Sequence, residues 1–269
     1  PFLNDAGVFY NSYSFLEKGD VDGFEKALLE GNNKLKKYYN TEAFRLRAII
    51  LQNYGIMQQR KNNEKLYMKL LINEAIPAAK KSRDYELISG LYKAVAIIFM
   101  NNNEREKASE YLSEALKYIE RAIKKSPTLA ESRMETYIIN AENLIELKHF
   151  YDAKKILDKA FLTLKNFPES NLNDSYFYAE GLYYAKQNKN TIALESYEKG
   201  IKSADKHENA IAVNRLKFAE YEVLFKLRNY EKAKKNLEYL LKNTPFVIDK
   251  KNYYNELAKV YNATKEYDK

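Results

Sequence analysis

The chain has 269 residues, 45% of them hydrophobic and 30% charged, a balance that suits a folded chain with a sizeable core and excludes a disordered tail. It contains no cysteine, which excludes a disulfide framework, a thiolate metal site and a cysteine nucleophile. The formal net charge of +8 raises nucleic acid or an anionic membrane surface as partners, yet the basic pairs Lys36-Lys37, Lys80-Lys81, Lys124-Lys125 and Lys234-Lys235 are dispersed along the chain. Most of them are expected toward the C-terminal part of a helix, where cations complement the macrodipole.

With only 8 Gly and 5 Pro, and with Leu, Lys, Glu and Ala abundant, the class is expected to be all-α. In chain order the pattern predicts paired helices over approximately 3–17 and 22–38, 42–60 and 63–81, 85–101 and 104–125, 130–148 and 151–165, 173–187 and 191–204, 209–227 and 230–242, and a last first-helix over 249–264. Breakers fall between them at Gly19-Asp20, Asn62-Asn63, Asn101-Asn102-Asn103, Ser126-Pro127, Pro168 and Pro245. Pro77 lies inside the second helix of the second pair and is expected to kink or end it near Ile76. The apolar run Ala94–Met100 is far shorter than a membrane span of about 20 residues, and no signal peptide is expected from Pro1 onward.

The sizes of residues repeat as well. Phe177, Gly181 and Tyr184 are followed by Ala193, Tyr197 and Gly200. The same frame reads Tyr92, Ala96, Phe99 with Ala108, Leu112, Ala115, and Tyr137, Ala141, Leu144 with Ala153, Leu157, Ala160. Taking one marker per first helix gives Ser12, Tyr54, Ala96, Ala141, Gly181, Tyr221 and Ala258, a period of roughly 40 residues. A small residue lets the partner helix approach while a bulky one a turn away fills the space beside it. Gly181 and Gly200 each cost about 1 kcal/mol relative to Ala in mid-helix, which close packing would offset. Most of the 24 tyrosines, including Tyr92, Tyr137, Tyr184, Tyr197 and Tyr261, are accounted for as packing residues.

No catalytic constellation is visible. His149 and His207 have no helical spacing between them, the glycines do not form a phosphate loop, and pairs such as Glu104-Glu106 and Glu142-Glu146 fit solvated helix faces. The expectation is a protein that is not an enzyme, with no metal and no cofactor.

The repeat, carried best by Phe177, Gly181, Tyr184, Ala193, Tyr197 and Gly200 and extended by Tyr230, Ala233 and Pro245, resembles that of tetratricopeptide-repeat (TPR) proteins. The resemblance implies an all-α, right-handed α-α superhelix, a TPR-like solenoid of about six and a half hairpins of roughly 40 residues, as a single domain over 1–269 cut within its last repeat. It also implies a concave groove lined by first helices and taking a protein or peptide. Its positions here are Phe9, Tyr13, Leu51, Gln52, Lys93, Ile97, Ile138, Glu142, Tyr178, Leu182, Phe218, Glu222 and Phe225. Of the Lys, Asn and Arg set used by carboxylate-clamp members only Lys93 is comparable, which argues against a chaperone adaptor.

The run from Leu87 to Asn101 and the Lys-, Asn- and Tyr-rich style resemble the repeat sensor regions of Bacteroidetes-type transcriptional regulators and sensor histidine kinases. That resemblance implies a membrane helix and either a helix-turn-helix DNA-binding domain or a histidine kinase after Lys269, with nucleic acid contacted only through such a further domain and the groove open to the protein's own downstream segment. A free-standing assembly scaffold and a nucleic-acid-binding repeat stay open as alternatives. The compartment is open between periplasm and cytoplasm.

Overall fold

The structure, a computed structural model, describes residues 1–265, and every described element is a helix. Residues 266–269, on which the expected cut within a last repeat falls, lie outside the described residues. The chain forms two compact units, Pro1–Thr136 and Tyr137–Lys269. The first holds α1 (Phe2–Glu17), α2 (Val21–Leu35), α3 (Thr41–Arg60), α4 (Glu64–Leu70), a π turn (Leu71–Ala75), α5 (Ile76–Ser82), α6 (Tyr85–Asn101) and α7 (Arg105–Ile123). The division falls inside α8 (Ala130–Glu146). The second unit continues with α9 (Phe150–Leu164), α10 (Asn173–Lys186), α11 (Asn190–Lys206), α12 (Ala210–Lys226), α13 (Tyr230–Asn243) and α14 (Val247–Thr264).

Consecutive helices pack as antiparallel hairpins, and the turn inside each hairpin is built alike. One residue takes a left-handed conformation, Gly19 at φ 73° and Asn62, Asn103, Lys148, Asn188 and Arg228 at 59–61°. The next N–H then reaches back over the helix end: Asp20 to the Phe15 carbonyl, Asn63 to Gln58, Glu104 to Phe99, His149 to Leu144, Lys189 to Tyr184 and Asn229 to Leu224, all at 2.8 or 2.9 Å. This satisfies an orphan carbonyl at the helix end in the Schellman manner. Side-chain caps start several of the following helices, with Asp20 accepting from the Gly23 N–H, Asn63 from Leu66 and Asn229 from Lys232.

Between the helices, small residues receive rings. A Cβ at Gly181 would stand 2.3 Å from Cε1 of the fully buried Tyr197, and one at Gly200 would stand 2.8 Å from Leu216 Cδ2. Gly55 plays the same part, since a Cβ there would lie 2.1 Å from Tyr67 Cδ2. Gly55 precedes the helix end at Arg60 by as many residues as Gly181 precedes Lys186, so the repeat marker in the second hairpin is Gly55 and not Tyr54. Tyr54 instead packs at the margin of the core formed by Phe9, Phe24, Leu28, Leu46 and Ile50. In α14 the buried residues are Leu257 and Val260, while Ala258 is exposed.

Pro77 does not end its helix. Upstream of it the Ile76 N–H bonds the Leu71 carbonyl, five residues back, and helix then continues to Ser82. Four of the buried side chains of this segment, Tyr67, Leu71, Ala75 and Ala79, recur every fourth residue, with Leu70, Ile76 and Ala78 buried beside them. In a pure α-helix such a stripe walks off the core by about 40° per step. The wider π turn takes up that drift, and it relaxes the chain where the proline ring would crowd the carbonyl four residues back.

Two outcomes follow for stability. Gly181→Ala should lower the urea midpoint followed by circular dichroism, because overpacking costs about 1–3 kcal/mol and outweighs a propensity gain of about 1 kcal/mol. Gly90→Ala, with nothing within 4 Å of the new Cβ, should raise it; a Gly181→Ala midpoint at or above wild type would refute the close approach. Burial pushes the Tyr67 phenol up to about 12. A raised phenol contributes stability in full below its unfolded value near pH 10, and that contribution is lost as pH climbs toward about 12. The fall of the urea midpoint across this window should therefore be shallower in Tyr67→Phe.

Candidate functional site

In the second unit, α8, α10 and α12 bring Glu142, Tyr178 and Arg215 together. The Arg215 guanidinium carbon lies 3.6 Å from the centroid of the Tyr178 ring, and its Nη2 donates to Glu142 Oε2 at 2.5 Å. Withdrawal from water works against the Arg215 charge, but Glu142 and then Tyr178 outweigh it and hold the guanidinium above its ordinary range. Tyr178 is raised by burial, with Arg215 opposing. Farther along α8 and α10, Lys186 Nζ donates to Glu146 Oε2 at 2.8 Å.

Glu222 on α12 is open to solvent on its own surface but stands among protein atoms that draw water from it. This raises its pKa, Lys186 opposing and the facing carboxylates Glu256 and Glu146 reinforcing. Beside Tyr178 and Arg215 a cavity of ≈ 160 Å³ carries Asp174 in its wall. Asp174 is buried and accepts from Ser175 Oγ at 2.8 Å and Asn209 Nδ2 at 3.0 Å.

Of the groove residues expected from sequence, Glu142, Tyr178 and Glu222 meet on this one face, with the half-buried Leu182 on α10. Ile138 and Phe9 do not line a wall: they are 1% and 4% exposed and are core residues, as is Leu51. Phe9 and Ile138, three residues before their markers, turn into the neighbouring helices instead of facing water, whereas Leu51 falls one residue off that position once Gly55 is the marker. Phe218 rests against Tyr221 and Tyr253, with centroids 5.6 Å away in each case, and Phe225 against Tyr230 at 5.5 Å.

In the first unit the largely buried Lys93 pairs with Glu135, Ile97 is exposed and Gln52 half-buried. The Tyr13 hydroxyl accepts from Asn53 Nδ2 at 3.0 Å, at the edge of a ≈ 300 Å³ cavity also lined by Ile56 and the buried Phe24. With Gly55 as the marker, Ile56 takes the place in the second hairpin that Tyr13, Ile97, Glu142 and Glu222 hold in theirs.

Arg215 was not among the expected residues. It lies one turn ahead of Phe218, as Glu135 lies one turn ahead of Ile138, and each reaches back to a residue of the preceding first helix, Tyr178 and Lys93 respectively. The signal was therefore the charged residue one turn upstream, read against the preceding repeat.

The chemistry available on these faces is ion pairing, stacking and hydrogen bonding. Among the described residues no group of three or more His, Cys, Asp or Glu is placed to hold a metal ion. His149 precedes α9 as its cap residue, and His207 rests with Nδ1 2.9 Å from the Ser203 carbonyl and Nε2 3.2 Å from that of Glu169. Among the described residues no helix is long and apolar enough to cross a membrane.

No protein-family model matches the chain, and no curated protein matches its sequence. Solved structures do. The aspartyl phosphate phosphatase F of Bacillus subtilis superposes with a TM-score of 0.69 at 9% identity, over 91% of this chain and 61% of that one. A STAND-type signal-transduction ATPase with a tetratricopeptide-repeat sensor, from Pyrococcus horikoshii, gives 0.63 at 20% identity, over 91% of this chain and 38% of that one. A tetratricopeptide-repeat protein of Parabacteroides merdae gives 0.55 at 13% identity, over 95% and 98%. At such identities the likeness shows the fold, an all-α helical-repeat solenoid of tetratricopeptide type.

The Arg215–Glu142 contact joins a 45% exposed side chain to one 13% exposed, so solvent screens much of it. Arg215→Ala and Glu142→Gln should show a coupling of about 0.5–1 kcal/mol in a double-mutant cycle at low salt, shrinking as salt rises. A cycle that closes to zero at low salt would mean the pair is incidental.

Proposed function

We propose that this chain is a non-enzymatic, protein- or peptide-binding repeat region, acting as the sensor or interaction region of a larger bacterial signalling or transcription-regulatory protein. The observation that carries the reading is the face formed by Glu142, Tyr178, Arg215 and Glu222. It offers an aromatic ring, a guanidinium and carboxylates from helices of successive hairpins, the mix of adaptable polar contacts and rigid aromatic surface by which protein segments are held. The tetratricopeptide-type fold supports it too, because each hairpin repeats the same presentation of first-helix side chains along one surface. The resemblance of the run from Leu87 to Asn101 to bacterial sensor regions supports the signalling context. In that setting the groove takes a partner protein, or the chain's own downstream segment, and any contact with nucleic acid belongs to another domain.

The test is a pull-down from native lysate with quantitative mass spectrometry, comparing wild type with Arg215→Glu and Glu222→Lys. A control, Glu198→Lys, reverses an exposed charge on α11. At least one protein retained by wild type and by the control should fall about tenfold or more on the two groove variants. Identical retained sets across all four proteins would remove this face from consideration.

A further inference from the structure

A second surface of the first unit, formed by the second helices and away from the groove residues above, carries the features of a recognition site. Between α5 and α7 lies a cavity of ≈ 590 Å³, within the size range of built ligand pockets. Its floor is apolar, made by Ile72, Ile76 and Pro77 from the π-turn segment and by the rings of Tyr92 and Tyr111. The rings are fixed by their neighbours: Tyr92 stacks on Tyr118 at 5.8 Å and 11°, and Tyr111 touches both Tyr92 and Phe99, at 6.0 and 5.3 Å. The rims are charged with opposite sign, Lys80 and Lys81 on α5 and Glu110 and Glu114 on α7.

The irregular helix supplies the apolar wall. Tyr67, Leu71, Ala75 and Ala79 stay on the core across the π turn, and beyond it Ile76 is buried while Pro77 faces out over the cavity. Pro77 offers no N–H to the carbonyl one turn back. The Pro77 ring and the tyrosine faces together form a rigid platform with little side-chain entropy left to lose.

We propose that this cavity docks a short peptide segment of a partner protein. The segment seats one large apolar or aromatic side chain against Pro77, Tyr92 and Tyr111, with an acidic residue toward Lys80–Lys81 and a basic residue toward Glu110–Glu114. Opposed rim charges favour a segment carrying both signs in a fixed order and disfavour one in reversed order, which is how rim electrostatics set register. Within the chain Glu114 accepts from Lys117 at 2.9 Å, Lys80 lies over the Tyr92 ring and Lys81 over that of Phe44, so the segment's charges share or replace these contacts, and a purely anionic or cationic occupant would meet repulsion on one side.

The experiment selects short random peptides displayed on phage against the full chain. Enriched sequences are then measured by fluorescence anisotropy on wild type, on Glu110→Lys/Glu114→Lys and on the Glu198→Lys control. The enriched peptides should share a large apolar residue flanked by one basic and one acidic residue. The double reversal should weaken them about tenfold or more, the control should not, and exchanging the peptide's basic residue for an acidic one should restore binding to the reversed variant. That rescue separates recognition from damage to the fold. The proposal is overturned by no enrichment, by affinities indifferent to the reversal, by weakening without rescue, by binding lost instead in Arg215→Glu, or by occupancy of the cavity only by free small aromatic molecules.

Discussion

The close approach of paired helices, with a missing side chain on one and a ring on the other, is the contact on which the remaining structure rests. Tyr197 lies where any Cβ on residue 181 would collide with it, and Tyr67 does the same to residue 55. Both rings are buried, so neither can swing aside without opening the core. In these hairpins the interaxial distance is fixed by geometry and not by a soft balance of contacts. Where the marker is Ala96 or Ala141, the frame places Leu112 and Leu157, both buried, at the position that Tyr197 holds.

Fixing that distance also fixes what successive first helices present to one another. A side chain at one position reaches the residue one turn upstream on the next first helix, which is how Lys93 meets Glu135 and Tyr178 meets Arg215. The site is thus a product of the repeat and not an addition to it. Polar residues at these positions become interacting pairs, whereas Phe9 and Ile138 at the equivalent places become core.

The architecture was largely legible in the sequence because helix ends, breakers and the small-large alternation all agreed. The frame slipped by one residue in the second hairpin. There Tyr54 and Gly55 stand side by side, and only the position of Tyr67 tells which faces the partner helix. The π turn was hidden because four-residue spacing of Tyr67, Leu71, Ala75 and Ala79 reads as ordinary helix until the drift is followed across several turns. Glu142, Tyr178 and Glu222, expected by analogy of position, lie together on one face. Arg215 was missed because its partner lies in another repeat, and nothing within its own repeat marks it.

The left-handed turns carry a consequence for how the chain comes together. Glycine occupies only Gly19, whereas Lys148 and Arg228 hold the same conformation with a full side chain, at a cost of about 1–2 kcal/mol each. An isolated hairpin gains little to set against that cost, since its outer faces are still wet. Docking of the next pair supplies the compensation, so within each unit the turns and the helix stack form together. Cooperativity is in this sense written into the turns, and a lone hairpin cut from the middle of the array would open at Lys148 or Arg228 before it frayed at its ends.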